Sequence, residues 1–187
     1  MIEKTQKIHR YIITGGPGSG KTSLLAALHR CGYDCSPEAS RQLIMEGLAE
    51  GSACMPWLDL NCFAEKTLEC MKRLHAGSAG STLTFFDRGI PDIMAYLRAA
   101  GLPVNGKYDS LLKEYPYNKM VFLLPPWREI YVQDPARWQT FDEAEGLYLE
   151  IKETYRHTGH HLYELPKSSV DERVAFVKET LKKSHPL

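Results

Sequence analysis

A glycine-rich stretch near the start of the chain has the residue types and the spacing needed to hold a phosphate group. It reads GGPGSGKT over residues 15–22 and fits the pattern G-x-x-x-x-G-K-[ST]. Backbone N–H groups can converge on a phosphate only where few side chains stand in the way, and a helix that follows adds its positive end. Lys21 would neutralise the outer phosphates of a nucleoside triphosphate during transfer, and the hydroxyl of Thr22 would hold Mg²⁺. The stretch predicts a site for ATP with Mg²⁺, whose nucleotide contacts would be Gly15, Gly16, Pro17, Gly18, Ser19, Gly20, Lys21, Thr22 and Ser23.

A second chemical signal is an acid at the end of a short apolar stretch. Residues 83–86 are Leu-Thr-Phe-Phe, and Asp87 follows them. At the end of a strand this carboxylate would orient Mg²⁺ or its waters; the alternative is a turn or cap acid. In motor and remodelling ATPases, the residue directly after this acid is usually a glutamate that activates water. In this chain that residue is Arg88. An arginine there suits gripping a second substrate or its phosphate, which favours phosphoryl transfer over simple hydrolysis.

The elements that must position these residues alternate between strands and helices. Apolar stretches predict strands at residues 8–14, 33–36, 82–87, 119–124 and 161–165. Apolar residues every three or four positions predict helices at 21–31, 40–50, 57–74, 91–100, 142–158 and 170–181. The strand before the glycine-rich stretch and the helix after it favour a phosphate site over the alternative, a glycine-rich turn without a ligand. The alternation predicts an α/β fold with a parallel sheet covered on both faces, and we expect one domain over residues 1–187.

Composition limits the partners and the compartment. The 187 residues include 23 Lys+Arg and 23 Asp+Glu, so the net charge is zero, which argues against nucleic acid as a partner. No apolar run approaches the roughly 18 residues that a membrane span needs, and the first residues are too polar for a secretory signal. The five cysteines are an odd number without a CxxC pair, which predicts free thiols and a cytoplasmic protein. The oligomeric state stays open.

Five stretches together resemble a family of small bacterial P-loop proteins labelled AAA-type ATPase domains. They are GGPGSGKTSLLAAL, PEASRQLI, FFDRGIPDIMAYL, FLLPPWREIYVQD and ELPKSSVDERVAFV, and they span nearly the whole chain. Relatives of that family include the nicotinamide-riboside kinase domain and, more distantly, deoxynucleoside and nucleoside-monophosphate kinases. The resemblance implies a three-layer P-loop NTPase fold with a five-stranded parallel sheet, the Asp87 strand beside the P-loop strand. It also implies a lid over about residues 126–142 and an adenine site beside the loop that follows the last strand.

The resemblance to nucleoside kinases suggests roles for further residues. Glu38, after the second strand, would take the proton of the acceptor hydroxyl, and Arg41 would contact the acceptor; alternatively the two form a plain surface ion pair. In the lid, Arg128 and Arg137 would close over the γ-phosphate, with Arg137 preferred; alternatively both are solvated loop cations.

Two residues near the acid complete the expected acceptor site. Arg88 would grip the acceptor or its phosphate, and Asp92 would contact the acceptor. Asp92 could equally be an acid in the first turn of a helix, where it complements the helix dipole.

Two functions remain open on these residues. The leading hypothesis is an ATP- and Mg²⁺-dependent phosphotransferase that acts on a nucleoside, a nucleotide or another hydroxyl-bearing metabolite. The alternative is an ATPase or a nucleotide-dependent switch that acts through a protein partner. A GTP-dependent switch is disfavoured, because residues 118–121 read Asn-Lys-Met-Val and lack the acid of a guanine-binding motif.

Overall fold

In the computed structural model, which describes residues 9–136 and 139–184, five strands form one parallel sheet. The strands are β1 (Arg10–Gly15), β2 (Asp34–Cys35), β3 (Thr84–Asp87), β4 (Met120–Leu124) and β5 (His161–Glu164). Their order across the sheet is β2-β3-β1-β4-β5, so β1 is central. Ile13 is in register with Asp87 on one side of β1 and with Phe122 on the other. The carboxyl ends of β1 and β3 therefore meet at one edge of the sheet.

Helices cover both faces of this sheet. They are α1 (Lys21–Arg30), α2 (Ala39–Glu50), α3 (Leu60–Gly77), α4 (Ile90–Ala99), α5 (Lys107–Glu114), α6 (Phe141–His157) and α7 (Val170–Ser184). Alternate residues of a strand point to opposite faces: Ile12 packs with the layer of α3, α4 and α6, whereas Tyr11 and Ile13 pack with α1 and α7. Because both faces are covered, the central strands β1, β3 and β4 are mainly apolar, and all their residues except Arg10 are buried. The expected three-layer α/β fold is confirmed.

The turn between β1 and α1 depends on two glycines. Gly15 ends β1 with φ +146°, and a Cβ there would collide with the carbonyl oxygen of Leu124 in the neighbouring strand. Gly20 precedes α1 in the left-handed conformation, with φ 86°. The chain can turn sharply at the edge of the sheet because these two positions carry no side chain.

The predicted elements differ from the observed ones mainly at their ends, with one omission. All five predicted strands are present, and the long helix begins at Leu60, after Asp59, whose side chain accepts a hydrogen bond from the Cys62 backbone N–H. The sequence did not indicate α5. Only Tyr108 of that helix is buried, so its apolar pattern is too sparse to show a period.

The expectation that all the cysteines are free thiols is wrong. Cys54 and Cys62 form a disulfide between the α2–α3 loop and the start of α3, while Cys31, Cys35 and Cys70 are free. Cys54 and Cys62 are eight residues apart, a spacing that matches no recognised motif. Their Cα atoms come within 5.4 Å of each other only because of the fold. Within the described ranges, no helix has both the length and the apolar character that crossing a bilayer would require.

Candidate active site

The glycine-rich loop lies between β1 and α1, as predicted, and its shape is held from within. Gly18 and Gly20 have φ values of 72° and 86°, which suit glycine. The hydroxyl of Ser19 donates to the carbonyl of Gly16 at 2.9 Å. The aromatic ring of Tyr131 packs so closely over Gly18 that a Cβ there would collide with it. These contacts within the protein hold the loop in its curved shape.

Lys21 lies buried across this loop. Its Nζ donates to the carbonyls of Gly15 at 3.1 Å and Gly16 at 2.9 Å. Burial, and secondly the positive charge of Arg88, lower the pKa of the Lys21 ammonium to about 8. A bound polyphosphate would reverse this effect, because a nearby anion favours the charged form of the lysine.

Asp87 ends β3 beside the glycine-rich loop, and one of its carboxylate oxygens accepts no hydrogen bond from the described residues. The residue is 4 % exposed, and its Oδ1 has no hydrogen-bond partner among the described residues. Its backbone N–H donates to the Ser36 hydroxyl at 3.0 Å. Burial, and secondly the charge of Glu38, raise the pKa of the Asp87 carboxyl to about 7. A buried carboxylate oxygen without a donor is the kind of atom that a divalent cation binds.

The residues at this edge fit Mg²⁺. Thr22 and Asp87 line the same open cavity, and each offers an oxygen ligand. No group of three His, Cys, Asp or Glu side chains in the described ranges forms a metal cage. Mg²⁺ needs none, since it is commonly bound by one or two protein oxygens, substrate phosphates and water.

Arg88 contacts both the glycine-rich loop and Glu38, the acid that follows β2. Its Nη1 donates to the Gly15 carbonyl at 3.0 Å, and its Nε lies 3.7 Å from Oε1 of Glu38. Its backbone is left-handed, with φ 70°. A non-glycine residue in that region stores about 1–3 kcal/mol of strain and persists only where its surroundings enforce it. The side chain is nearly buried and lines the cleft.

Asp92, in the first turn of α4, fixes the position of the Arg88 guanidinium. Its Oδ1 accepts from Thr14 Oγ1 at 2.5 Å and from Arg88 Nη1 at 3.1 Å. Its Oδ2 accepts from the Tyr155 hydroxyl at 2.5 Å and from the Gly89 N–H at 2.9 Å. Protein donors occupy both oxygens, so we correct the expected acceptor contact of Asp92 to a positioning role. This arrangement matches the alternative of a first-turn acid, since Asp92 closes the capping box that begins α4.

Glu38 lies immediately before α2 and faces the loop across Arg88. Burial would raise the pKa of Glu38, but the charges of Arg88, Lys21 and Arg41 outweigh it and hold the pKa below its ordinary value. The Ser40 hydroxyl donates to Oε1 at 3.3 Å. Glu38 is thus ionised at neutral pH and able to accept a proton.

Arg41, on α2, contacts the segment over residues 126–142 that is expected to form a lid. Arg41 pairs with Asp134 of the lid segment at 3.1 Å rather than with Glu38. Arg128, expected over the γ-phosphate, has a 68 % exposed side chain that pairs with Asp142 at 3.1 Å and lies over the Phe141 ring. It does not line the cleft, so the alternative of a solvated cation describes it. Arg137 lies outside the described residues.

Sequence reasoning missed Arg173, in the first turns of α7. The residue is 4 % exposed and lines the same cleft, and its Nη1 lies so near Gly20 that a Cβ there would be 2.7 Å away. No local pattern distinguishes it from other helix arginines. Its position just after the loop expected to border the adenine is the one signal that could have pointed to it.

These residues surround a cleft of about 340 Å³. It is lined by the glycine-rich loop, Glu38, Arg41, Arg88, Tyr96, Ile130, Ala136, Gln139 and Arg173, with several apolar neighbours. A smaller apolar pocket opens between α3 and α4 and shares Phe63, Arg88 and Tyr96 with the cleft. The arrangement offers an anion site, a metal ligand and a proton acceptor next to an apolar surface.

Comparison with known proteins agrees with this architecture. A family model described as AAA domain matches residues 10–173. A search of curated proteins found no match. Two structures of the deoxyadenosine kinase from M. mycoides are similar to this chain. The one with dCMP and dCDP has a TM-score of 0.68 at 12 % identity, covering 93 % of this chain and 99 % of the kinase. The one with dATP has a TM-score of 0.61 at 12 % identity, covering 92 % and 99 %.

A third similar structure is the NadR protein in complex with NR. It has a TM-score of 0.68 at 13 % identity, and the match covers 94 % of this chain but only 50 % of NadR. At such identities the likeness establishes a shared fold. The expected P-loop NTPase fold, with the Asp87 strand next to the P-loop strand, is confirmed.

Proposed function

The chain belongs to the AAA domain family, and from that premise and the geometry of its cleft we propose that it is a Mg·ATP-dependent phosphotransferase acting on a small hydroxyl-bearing molecule. The observation that carries the proposal is the Glu38 carboxylate next to Arg88, both of which line the same cleft as the phosphate loop. That set suits the deprotonation of an acceptor. We further propose that residues 1–187 form one domain, since the described elements share one sheet.

Each polar group has a part in the proposed transfer. The glycine-rich loop and Lys21 would hold the β- and γ-phosphates, while Thr22 and Asp87 would hold Mg²⁺, which would supply positive charge against those phosphates. Glu38 removes the proton from the acceptor hydroxyl as the hydroxyl oxygen bonds to the γ-phosphorus, and the bond from that phosphorus to the bridging oxygen breaks to release ADP. Arg88 orients the acceptor and stabilises the charge that spreads over the transferred oxygens.

The acceptor is proposed to be nucleoside-like. The main cleft of about 340 Å³ has the size of a small-molecule site, and Ile44, Phe63 and Tyr96 would offer a flat ring an apolar surface there. A sugar hydroxyl of that acceptor would then reach Glu38, which lines the same cleft. The kinases of similar fold support this class, since their structures contain nucleotides or NR.

The alternative, an ATPase or switch acting through a protein partner, is favoured by the family's description. It is disfavoured by the residue after Asp87. Arg88 stands where a water-activating glutamate is usual, and its guanidinium is engaged by Gly15 and Asp92.

Release of ADP from ATP, measured with and without a panel of nucleosides, nucleotides and ribosides, tests the proposal. A phosphotransferase releases ADP much faster with one acceptor class, whereas release that no acceptor changes would support the ATPase. With the stimulating acceptor, we expect Glu38→Gln to lower kcat by about 10²–10⁴. Glu46→Gln is the matched control, because Glu46 lies on α2 and pairs with the exposed Gln42. Full activity of Glu38→Gln would rule out the proton-acceptor role.

A further inference from the structure

Arg173 is a nearly buried cation that the protein itself does not neutralise. Only 4 % of the residue is exposed, yet its guanidinium forms no hydrogen bond or ion pair with any described residue, and its Nε is a buried donor without a partner. Charged side chains are almost never buried unless they are paired, because the loss of hydration is costly. Burial accordingly lowers the pKa of this arginine. The site is electrostatically incomplete without an anion.

The surroundings fix where that anion would sit. The guanidinium lies against Gly20, the last residue of the phosphate loop, and its central carbon is 5.5 Å from the centre of the Trp127 ring. The ring supports one face of the guanidinium and leaves its edge free to donate hydrogen bonds. Arg173 also lines the same cleft as Lys21.

The sheet order places this cation at the opposite side of the phosphate loop from the reacting groups. Asp87 ends β3, and Glu38 follows β2, both on one side of β1. Trp127 follows β4 and Arg173 follows β5, both on the other side. A triphosphate whose γ-phosphate faces Glu38 therefore extends toward Arg173 with its nucleoside end.

We propose that Arg173 is a nucleotide-binding residue that pairs with the α-phosphate of the bound nucleoside triphosphate. This inference rests on the proposed function, since it takes the loop to hold a nucleotide. In this role Arg173 helps to bind the nucleotide in the ground state and does not contact the γ-phosphate that is transferred. A guanidinium suits this role, because two of its N–H groups can donate to one phosphate at once.

Calorimetry of Mg·ATP and Mg·ADP with Arg173→Met tests the inference. A hydrogen-bonded charge pair of this kind corresponds to about a tenfold to hundredfold change in Kd. We expect both nucleotides to lose affinity by the same factor within that range, because both carry the α-phosphate. In acceptor-dependent turnover, KM for ATP should rise while kcat at saturation stays within about threefold. Arg173→Lys should recover part of the loss, since it keeps the charge but not the fork.

The melting temperature separates this role from a structural one. Removing an unpaired buried charge should leave Tm of the nucleotide-free protein equal to or above that of the wild type. A structural arginine would instead lower Tm when replaced. Lys182→Met is the matched control, since it removes an exposed cation from the last turn of α7. It should change neither Kd nor Tm.

Three results would overturn the inference. They are an unchanged Kd in Arg173→Met while the wild type binds Mg·ATP, a loss confined to ATP, and a lower Tm of the nucleotide-free variant. Absence of binding by the wild type would instead overturn the proposed function, and this inference with it.

Discussion

Replacing Asp92 by asparagine tests how the cleft is held. The Asp92 carboxylate is 1 % exposed and accepts four hydrogen bonds, from Thr14, Arg88, Gly89 and Tyr155. Asparagine has nearly the same volume but no charge, and its amide nitrogen cannot accept. Of the two carboxylates that pair with Arg88, only the more distant one, of Glu38 at 3.7 Å, would keep its charge, and at least one donor to residue 92 would lose its acceptor.

The expected magnitude follows from the burial of both charges. Breaking a buried ion pair by neutralising one partner costs about 3–5 kcal/mol. For a domain of this size, 1 kcal/mol corresponds to about 2–4 °C in Tm, so we expect Asp92→Asn to lower Tm by about 6–20 °C. Tyr155→Phe removes one hydrogen bond to the same carboxylate and should lower the free energy of unfolding by about 1.5–3 kcal/mol.

Urea unfolding gives these free energies directly, and a thermal scan gives Tm. Tyr163→Phe is the control for the loss of a tyrosine hydroxyl, because Tyr163 contacts Phe122 through its ring. We expect it to change stability by less than about 0.5 kcal/mol. If Asp92→Asn and Tyr155→Phe also stayed within about 0.5 kcal/mol, the carboxylate would not hold Arg88 and the reasoning would be refuted.

Three further predictions concern the site. Asp87 has its pKa raised from 3.8 to about 7, so its contribution to stability is lost as the pH rises through that interval. Without nucleotide or metal, the free energy of unfolding of the wild type should therefore decrease between about pH 4 and pH 7 by more than that of Asp87→Asn. Equal pH profiles of the two proteins would contradict the raised pKa. Gly15→Ala should destabilise the protein by at least about 1–3 kcal/mol, because its φ of +146° and the Leu124 carbonyl leave no place for a Cβ; unchanged urea unfolding would refute this. Arg137→Ala should lower kcat more than nucleotide affinity, and equal losses would argue against a role over the γ-phosphate.

Local patterns predicted the parts of this molecule that depend on local physics. The phosphate loop could be recognised because glycines, Lys21 and Thr22 act through the backbone of one short segment. The central strands could be recognised because strands covered on both faces are mainly apolar. The helix α5 was missed for the converse reason, since a helix with a single buried residue has almost no apolar pattern.

Contacts between distant segments could not be predicted in the same way. The sequence left Asp92 open between an acceptor contact and an acid in the first turn of a helix, because its bonds to Thr14 and Tyr155 join residues 78 and 63 positions apart. The disulfide of Cys54 and the position of Arg173 beside Gly20 likewise depend on how the elements pack. No spacing rule along the chain carries that information.

The amino-acid sequence alone determined that this protein has a phosphate-binding loop between a buried strand and a helix, because that motif is built from consecutive residues. Tertiary structure alone decided which charged side chains face the cleft. Arg88 and Arg173 line it, whereas Arg128 points to solvent. The physical reason is that the energy of a charge depends on its burial and its partners, and both are set by segments that meet only when the sheet and its two helical layers assemble.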